Sequence, residues 1–167
     1  MDRATLRALQ APLKDKYRDH PDVALVAARG TACVDASGDS SVDTWSGVAR
    51  AGLHAALGGD GTLACPADLL LQAVASCAAI TLSSVATAMG IVLRKADVSA
   101  EGTWDARGTL GLSRSVPVGL TSVRLVFDLD TDADDHTKAR LIELTERYCV
   151  VYQTLKHPPD MKAVLGA

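Results

Sequence analysis

Apolar positions divide the chain into segments of different period. Near the N-terminus, Leu6, Leu9, Leu13 and Tyr17 recur at helical spacing with charges between them. That pattern predicts an amphipathic helix from Asp2 to Arg18, ending near His20-Pro21. Pro12 lies inside it, removing a backbone donor and crowding the preceding turn, so a kink or a split is expected. Val23 to Val34 alternates weakly and is rich in β-formers, which predicts a strand. Gly38 opens a turn, and Ser41 to Val48 reads as a second strand that closes a hairpin.

The longest apolar stretch runs from Leu69 to Met89. Pro66 suits the first position of a helix, where its missing N–H costs nothing. Asp68 places a negative charge in the first turn, and Gly90 is a suitable C-cap. This helix is apolar around most of its circumference, so it must be buried on several sides. It carries Gln72, Ser76, Thr81, Ser83, Ser84 and Thr87 and lacks aromatic or basic anchors, which favours a buried central helix over a membrane span. No membrane partner is expected.

Two more strands are predicted, Ile91 to Trp104 and Thr121 to Leu129, with a turn over Gly108 to Gly119. Asp130 to Asp135 lacks the Gly and terminal Glu of a calcium loop and reads as an acidic lead into a helix. That helix should span Asp134 to Tyr148, with Glu143 and Arg147 as an i,i+4 pair. The tail is expected to add a short helix and a strand. No repeat or linker divides the chain, so a single α+β domain over residues 1–167 is expected, with residues 1–20 as an N-terminal helical extension.

Composition narrows the function. Only 4% of residues are aromatic, including one Phe and two Trp, so the core must be built from Leu, Val and Ala. A net charge of −3 leaves no basic surface for phosphate backbones, and nucleic acid is not an expected partner. Gly58-Gly59-Asp60-Gly61 is a loop without the GK[ST] ending or GxGxxG spacing of a phosphate cradle. Met1 to His20 is charged throughout, unlike a signal peptide, so a cytoplasmic location is expected. In that reducing compartment the four cysteines would begin as thiols.

Cys33, Cys65, Cys77 and Cys149 form no CxxC pair, and no histidine falls beside them at ligand spacing, so no metal site is expected. A lone cysteine usually serves as a small hydrophobe. That reading suffices for Cys33 and Cys65. The other two sit in more distinctive surroundings. Cys77 follows Pro66 by eleven residues, after Leu69-Leu70 and Ala-rich turns, and Cys149 closes Glu146-Arg147-Tyr148-Cys149.

This arrangement resembles the superfamily of osmotically inducible protein C and the organic hydroperoxide resistance proteins, over roughly Gly47 to the C-terminus. The resemblance implies an intertwined homodimer, with long central helices against curved antiparallel sheets and active sites at the subunit interface. It also implies a thiol peroxidase that needs no metal or flavin cofactor. Cys77 would attack the O–O bond of an organic hydroperoxide, Cys149 would resolve the sulfenic acid as a disulfide, and an external dithiol would restore both thiols. Leu70, Val74, Ile80 and Thr81 share the helical face of Cys77 and are candidates to line an apolar pocket, or belong to the core. His54 is a candidate polar neighbour.

Three positions depart from the family pattern. Relatives usually carry Glu directly after the helix-starting Pro, to orient an activating Arg; here Ala67 stands there. Asp68 is the candidate substitute, although a nine-residue offset at about 3.6 residues per turn puts it opposite Cys77, where a helix-start charge is the alternative role. Arg50 is the first candidate for the activating group and Arg29 the second. Val150 occupies the position after the second Cys, where many relatives have Pro. The rival function is a non-catalytic protein binding a small apolar ligand in the dimer cleft, which Ala67 favours. A general disulfide reductase is weaker for want of CxxC.

Overall fold

The computed structural model describes residues 1–166 of the chain. It contains five helices and five strands in the order α1 (Arg3–Asp19), β1 (Ala32–Val34), β2 (Ser40–Thr44), β3 (Gly47–Ala51), α2 (Pro66–Met89), β4 (Lys95–Thr103), α3 (Ala106–Thr109), β5 (Ser122–Asp130), α4 (Asp135–Tyr148) and α5 (Val150–Lys156). This is the mixed α+β composition expected. Two compact units form, one from Met1–Arg7, Ala73–Ser99 and the chain from Phe127 onward, the other from Ala8–Gln72 and Ala100–Val126.

The core of the first unit rests on one face of α2. Val74, Ala78, Leu82 and Ala86 recur every four residues and are buried, as helical periodicity requires. Leu82, Ala86 and Leu141 of α4 form its centre, enclosed by Val85, Met89, Ile91, Leu93, Val98, Phe127 and Leu129. Burying Leu82 and Leu141 contributes about 1.5–3 kcal/mol each. Polar residues within α2 satisfy themselves on its own backbone. Thr81, Ser84 and Thr87 donate to the carbonyls of Cys77, Ile80 and Ser83, a pattern that lets hydroxyls sit in an apolar helix.

The helix stops at Gly90, whose φ of 75° is in the left-handed region. Its N–H reaches the Thr87 carbonyl and the Ile91 N–H the Ala86 carbonyl, the Schellman closure, with Ile91 packed against the core. At the start of α4, Asp134 caps by accepting the Thr137 N–H at 2.6 Å, so the acidic segment does lead into a helix. Cys149 alone separates α4 from α5. Its φ of −75° and ψ of 109° are extended, while its N–H bonds to the Thr145 carbonyl and its own carbonyl accepts from Gln153. One residue thus ends one helix and begins the next.

In the second unit, β1, β2 and β3 form an antiparallel sheet with β2 in the middle, pairing Cys33 with Ser41 and Ser41 with Arg50. The start of α2 carries a reciprocal cap: Asp68 accepts the Cys65 N–H at 3.1 Å. β4 and β5 form a two-stranded sheet. Hydrogen bonds from Arg94 to Asp130 at one end and Thr121 to Thr103 at the other fix its antiparallel sense.

Several boundaries differ from the sequence expectation. Helix α1 is continuous through Pro12. All its residues lie outside any core, so water can satisfy the carbonyl that Pro12 leaves unpaired. Only Ala32–Val34 of the expected Val23–Val34 strand is a strand. Pro21 starts a 3₁₀ turn over Pro21–Ala24, and residues 25–31 have no partner strand to pair with. The expected Ser41–Val48 strand is two, folded back at Trp45-Ser46, where the Thr44 hydroxyl donates to the Gly47 carbonyl at 2.6 Å. Helix α3 interrupts the predicted turn, and residues 157–166 form no strand. Glu143 pairs with Arg140 at 2.6 Å rather than with Arg147, whose guanidinium instead stands over the Tyr148 ring.

Candidate functional site

Two of the four cysteines meet in the first unit. Cys77 projects from the middle of α2 and Cys149 from the corner between α4 and α5, close enough that each thiol shifts the ionisation of the other. Cys149 is completely buried, whereas Cys77 keeps part of its surface. Both are free thiols.

Their surroundings divide the pair electrically. Burial opposes ionisation of Cys77, but it is outweighed by the Val151 N–H, the Cys149 thiol, the Val150 N–H and the Thr81 hydroxyl, and the thiol lies below its ordinary pKa. Cys149 is pushed up, chiefly by burial and further by its bond to Cys77 and the charge there, despite a contribution from the Tyr152 N–H. Cys77 is therefore the more readily ionised sulfur of the pair, and Cys149 the one that holds its proton more firmly. A thiol of lowered pKa is the more available nucleophile for sulfur chemistry.

The N–H groups concerned come from the helix break at Cys149. Because that residue is extended, the first N–H groups of α5 have no carbonyl partner within the helix, and those of Val150 and Val151 favour ionisation of Cys77. They escaped the sequence reading because a backbone N–H carries no residue signature. The usable signal was the helix boundary at Cys149. Val150 has a further consequence, since a proline there would have no N–H to offer.

Thr81, expected in a pocket wall, lies one turn beyond Cys77, with its hydroxyl 2.8 Å from the Cys77 carbonyl oxygen and in reach of the sulfur. Ile80 is 67% exposed beside it, and Val74 is completely buried. Val74 thus belongs to the core side of the helix.

The remaining candidates lie in the second unit. Arg50, on β3, pairs with Asp39 at 3.2 Å and Asp35 at 3.5 Å. Arg29 is exposed in the irregular segment before β1. Asp68 takes the helix-start role, spent on the Cys65 N–H. His54 accepts the Ala56 N–H on Nδ1 at 3.0 Å and meets Trp104 edge-on at 5.2 Å. Leu70 is 38% exposed. Cys33 is exposed on β1, against its reading as a buried hydrophobe, and Cys65 is half-buried at the start of α2. The largest influences lowering Cys77 are thus the Val151 N–H, the Cys149 thiol and the Val150 N–H rather than a guanidinium.

No group of three or more metal-ligating side chains gathers among the described residues. Among them, α2 is the one helix long and apolar enough to cross a membrane.

The family model of the OsmC-like proteins matches residues 59–164. No curated protein matches the sequence. Among solved structures, an OsmC-like protein from Mycoplasma pneumoniae is similar with a TM-score of 0.68 and 15% identity, over 80% of this chain and 89% of its own. An organic hydroperoxide resistance protein from Elizabethkingia anophelis gives a TM-score of 0.64 at 16% identity, covering 80% and 91%. The organic hydroperoxide resistance protein OhrB of Bacillus subtilis gives 0.52 at 16% identity, covering 80% and 93%.

Proposed function

Because this chain belongs to the OsmC-like protein family, we propose that it is a thiol-dependent peroxidase that reduces organic hydroperoxides through Cys77 and Cys149. The observation that carries this reading is the polarity of the pair: a partly accessible Cys77 whose pKa is lowered, beside a buried Cys149 whose pKa is raised. Two structurally similar proteins bear the name organic hydroperoxide resistance protein, which supports the substrate class.

In the proposed cycle the Cys77 thiolate attacks the distal oxygen of the hydroperoxide. The O–O bond breaks, Cys77 becomes a sulfenic acid, and the alkoxide takes a proton to leave as the alcohol. The Cys149 sulfur, already in contact, then attacks the sulfenic sulfur. Its proton and the departing hydroxide form water, and a disulfide joins the two residues. An external dithiol reverses it, supplying two electrons. The N–H groups of Val150 and Val151 act on the first step by holding the thiolate.

A homodimer is part of this reading. Helix α2 leaves Ile80 exposed in the single chain, and a second copy would cover it and shield the approach to Cys77. The rival function, binding of an apolar ligand without turnover, draws support from Ala67 and from the engagement of Asp68 in the helix cap. Mass spectrometry of the thiols before and after one equivalent of cumene hydroperoxide, with peptide mapping, separates the two. Rapid formation of a Cys77–Cys149 bond is expected, and thiols that survive prolonged exposure would leave the binding reading.

A further inference from the structure

A cleft of about 470 Å³ opens at the corner of α4 and α5, with Cys149 among its lining residues. Around it stand Arg147, Tyr148, Gln153, Thr154 and His157. The lining includes no carboxylate, and among the described residues neither Arg147 nor His157 takes part in an ion pair. Gln153 is held in place by its bond to the Glu146 carbonyl at 2.8 Å, so one wall is fixed. Cys77 is absent from the lining. The cleft therefore addresses one sulfur of the pair.

We propose that this cleft receives the reductant, a thiol bearing a carboxylate, and directs it to the Cys149 side of the disulfide. This rests on the peroxidase reading for its place in a cycle. The incoming thiolate bonds to the Cys149 sulfur, the Cys77–Cys149 bond breaks, and Cys77 departs as a thiolate. With a dithiol, the second reductant sulfur then attacks the mixed disulfide and closes the reductant's own disulfide. Cys149 leaves and regains a proton from solvent, so two electrons have passed to the protein.

Leaving-group chemistry selects the same direction. Exchange is faster when the departing thiol has the lower pKa, and Cys77 is the sulfur of the pair whose pKa the fold lowers. Arg147 supplies the charge that draws a carboxylate. Cys149 has no exposed surface in the reduced protein, so attack on its sulfur requires the corner between α4 and α5 to open.

The test uses the full chain, oxidised with diamide so that the disulfide forms without any hydroperoxide. Reduction is started with 3-mercaptopropionate or with neutral 2-mercaptoethanol, quenched with N-ethylmaleimide, and mapped. The adduct is expected on Cys149, with maleimide on Cys77. In Arg147→Glu the rate ratio of the charged to the neutral thiol should fall by about fivefold, while Arg140→Glu, an equal charge change elsewhere on α4, should leave it in place. An adduct on Cys77, a ratio unmoved by Arg147→Glu, or an equal fall in Arg140→Glu would overturn the proposal. Failure of cumene hydroperoxide to oxidise Cys77 would instead strike the peroxidase reading, which the diamide experiment does not use.

Discussion

The Cys149 thiol, sealed from solvent, stands beside Cys77 on the neighbouring helix and favours its ionisation. The resolving role proposed for Cys149 and its influence on Cys77 thus fall on one residue. Cys149→Ala should raise the pKa of Cys77 as well as stop the cycle after one oxidation. Iodoacetamide alkylation across a pH series is the measurement, and the inflection should move upward relative to the parent. Cys149→Ser keeps a donor and should move it less. Equal shifts in the two variants would deny the hydrogen bond its role.

Val150 offers a cleaner probe of the backbone donors. A proline is compatible with the first position of α5, and the extended Cys149 backbone suits a residue preceding proline. Val150→Pro should therefore fold, lose one N–H directed at Cys77, and slow alkylation at neutral pH. Unchanged alkylation in a folded variant would remove that N–H from the site.

The central helix was legible because its limits are written in residue types: Pro66 at the start, Gly90 at the end, and an apolar run between. Cys77 and Cys149 were singled out by the resemblance of their surroundings to the family, and the structure brings them together. What sequence could not supply was the set of groups that lower Cys77, since two of them are backbone N–H groups placed by a helix boundary. The Val23–Val34 segment failed for a different reason. Its composition favours a strand, but strand formation depends on a partner that residues 25–31 do not have in the single chain.

Asp68 should behave as a cap and not as an active-site acid. Asp68→Ala removes the acceptor for the Cys65 N–H and should lower stability by about 1 kcal/mol. Urea denaturation reads this loss, while Cys77 alkylation should stay as in the parent. A slowed alkylation would return Asp68 to the site.

Leu82 should be among the least tolerant positions. It is fully enclosed with Ala86 and Leu141, so Leu82→Ala leaves a cavity and should cost about 2–5 kcal/mol in denaturant unfolding. Ile80→Ala, two residues earlier on the exposed face, should cost far less in the isolated chain. Its effect should appear in sedimentation if a second copy covers that face, as a weakened dimer.

The opposed ionisation of the two thiols gives stability a peaked dependence on pH. Cys77 is lowered in the fold, so between its folded pKa and that of an ordinary thiol the unfolded chain binds the extra proton and stability rises with pH. Cys149 is raised, so above the ordinary thiol value the folded protein holds the proton that the unfolded chain has lost, and stability falls until Cys149 itself ionises. Urea denaturation across this alkaline range, taken as the parent minus a Cys77→Ser, Cys149→Ser double variant, removes contributions from other groups. The difference should climb, reach a maximum near the ordinary thiol pKa and decline. Ultraviolet titration of thiolate should show two steps belonging to the pair, collapsing to one in either single serine variant. A difference curve that only climbs would mean Cys149 ionises as an ordinary thiol, and the donor role assigned to it would fail.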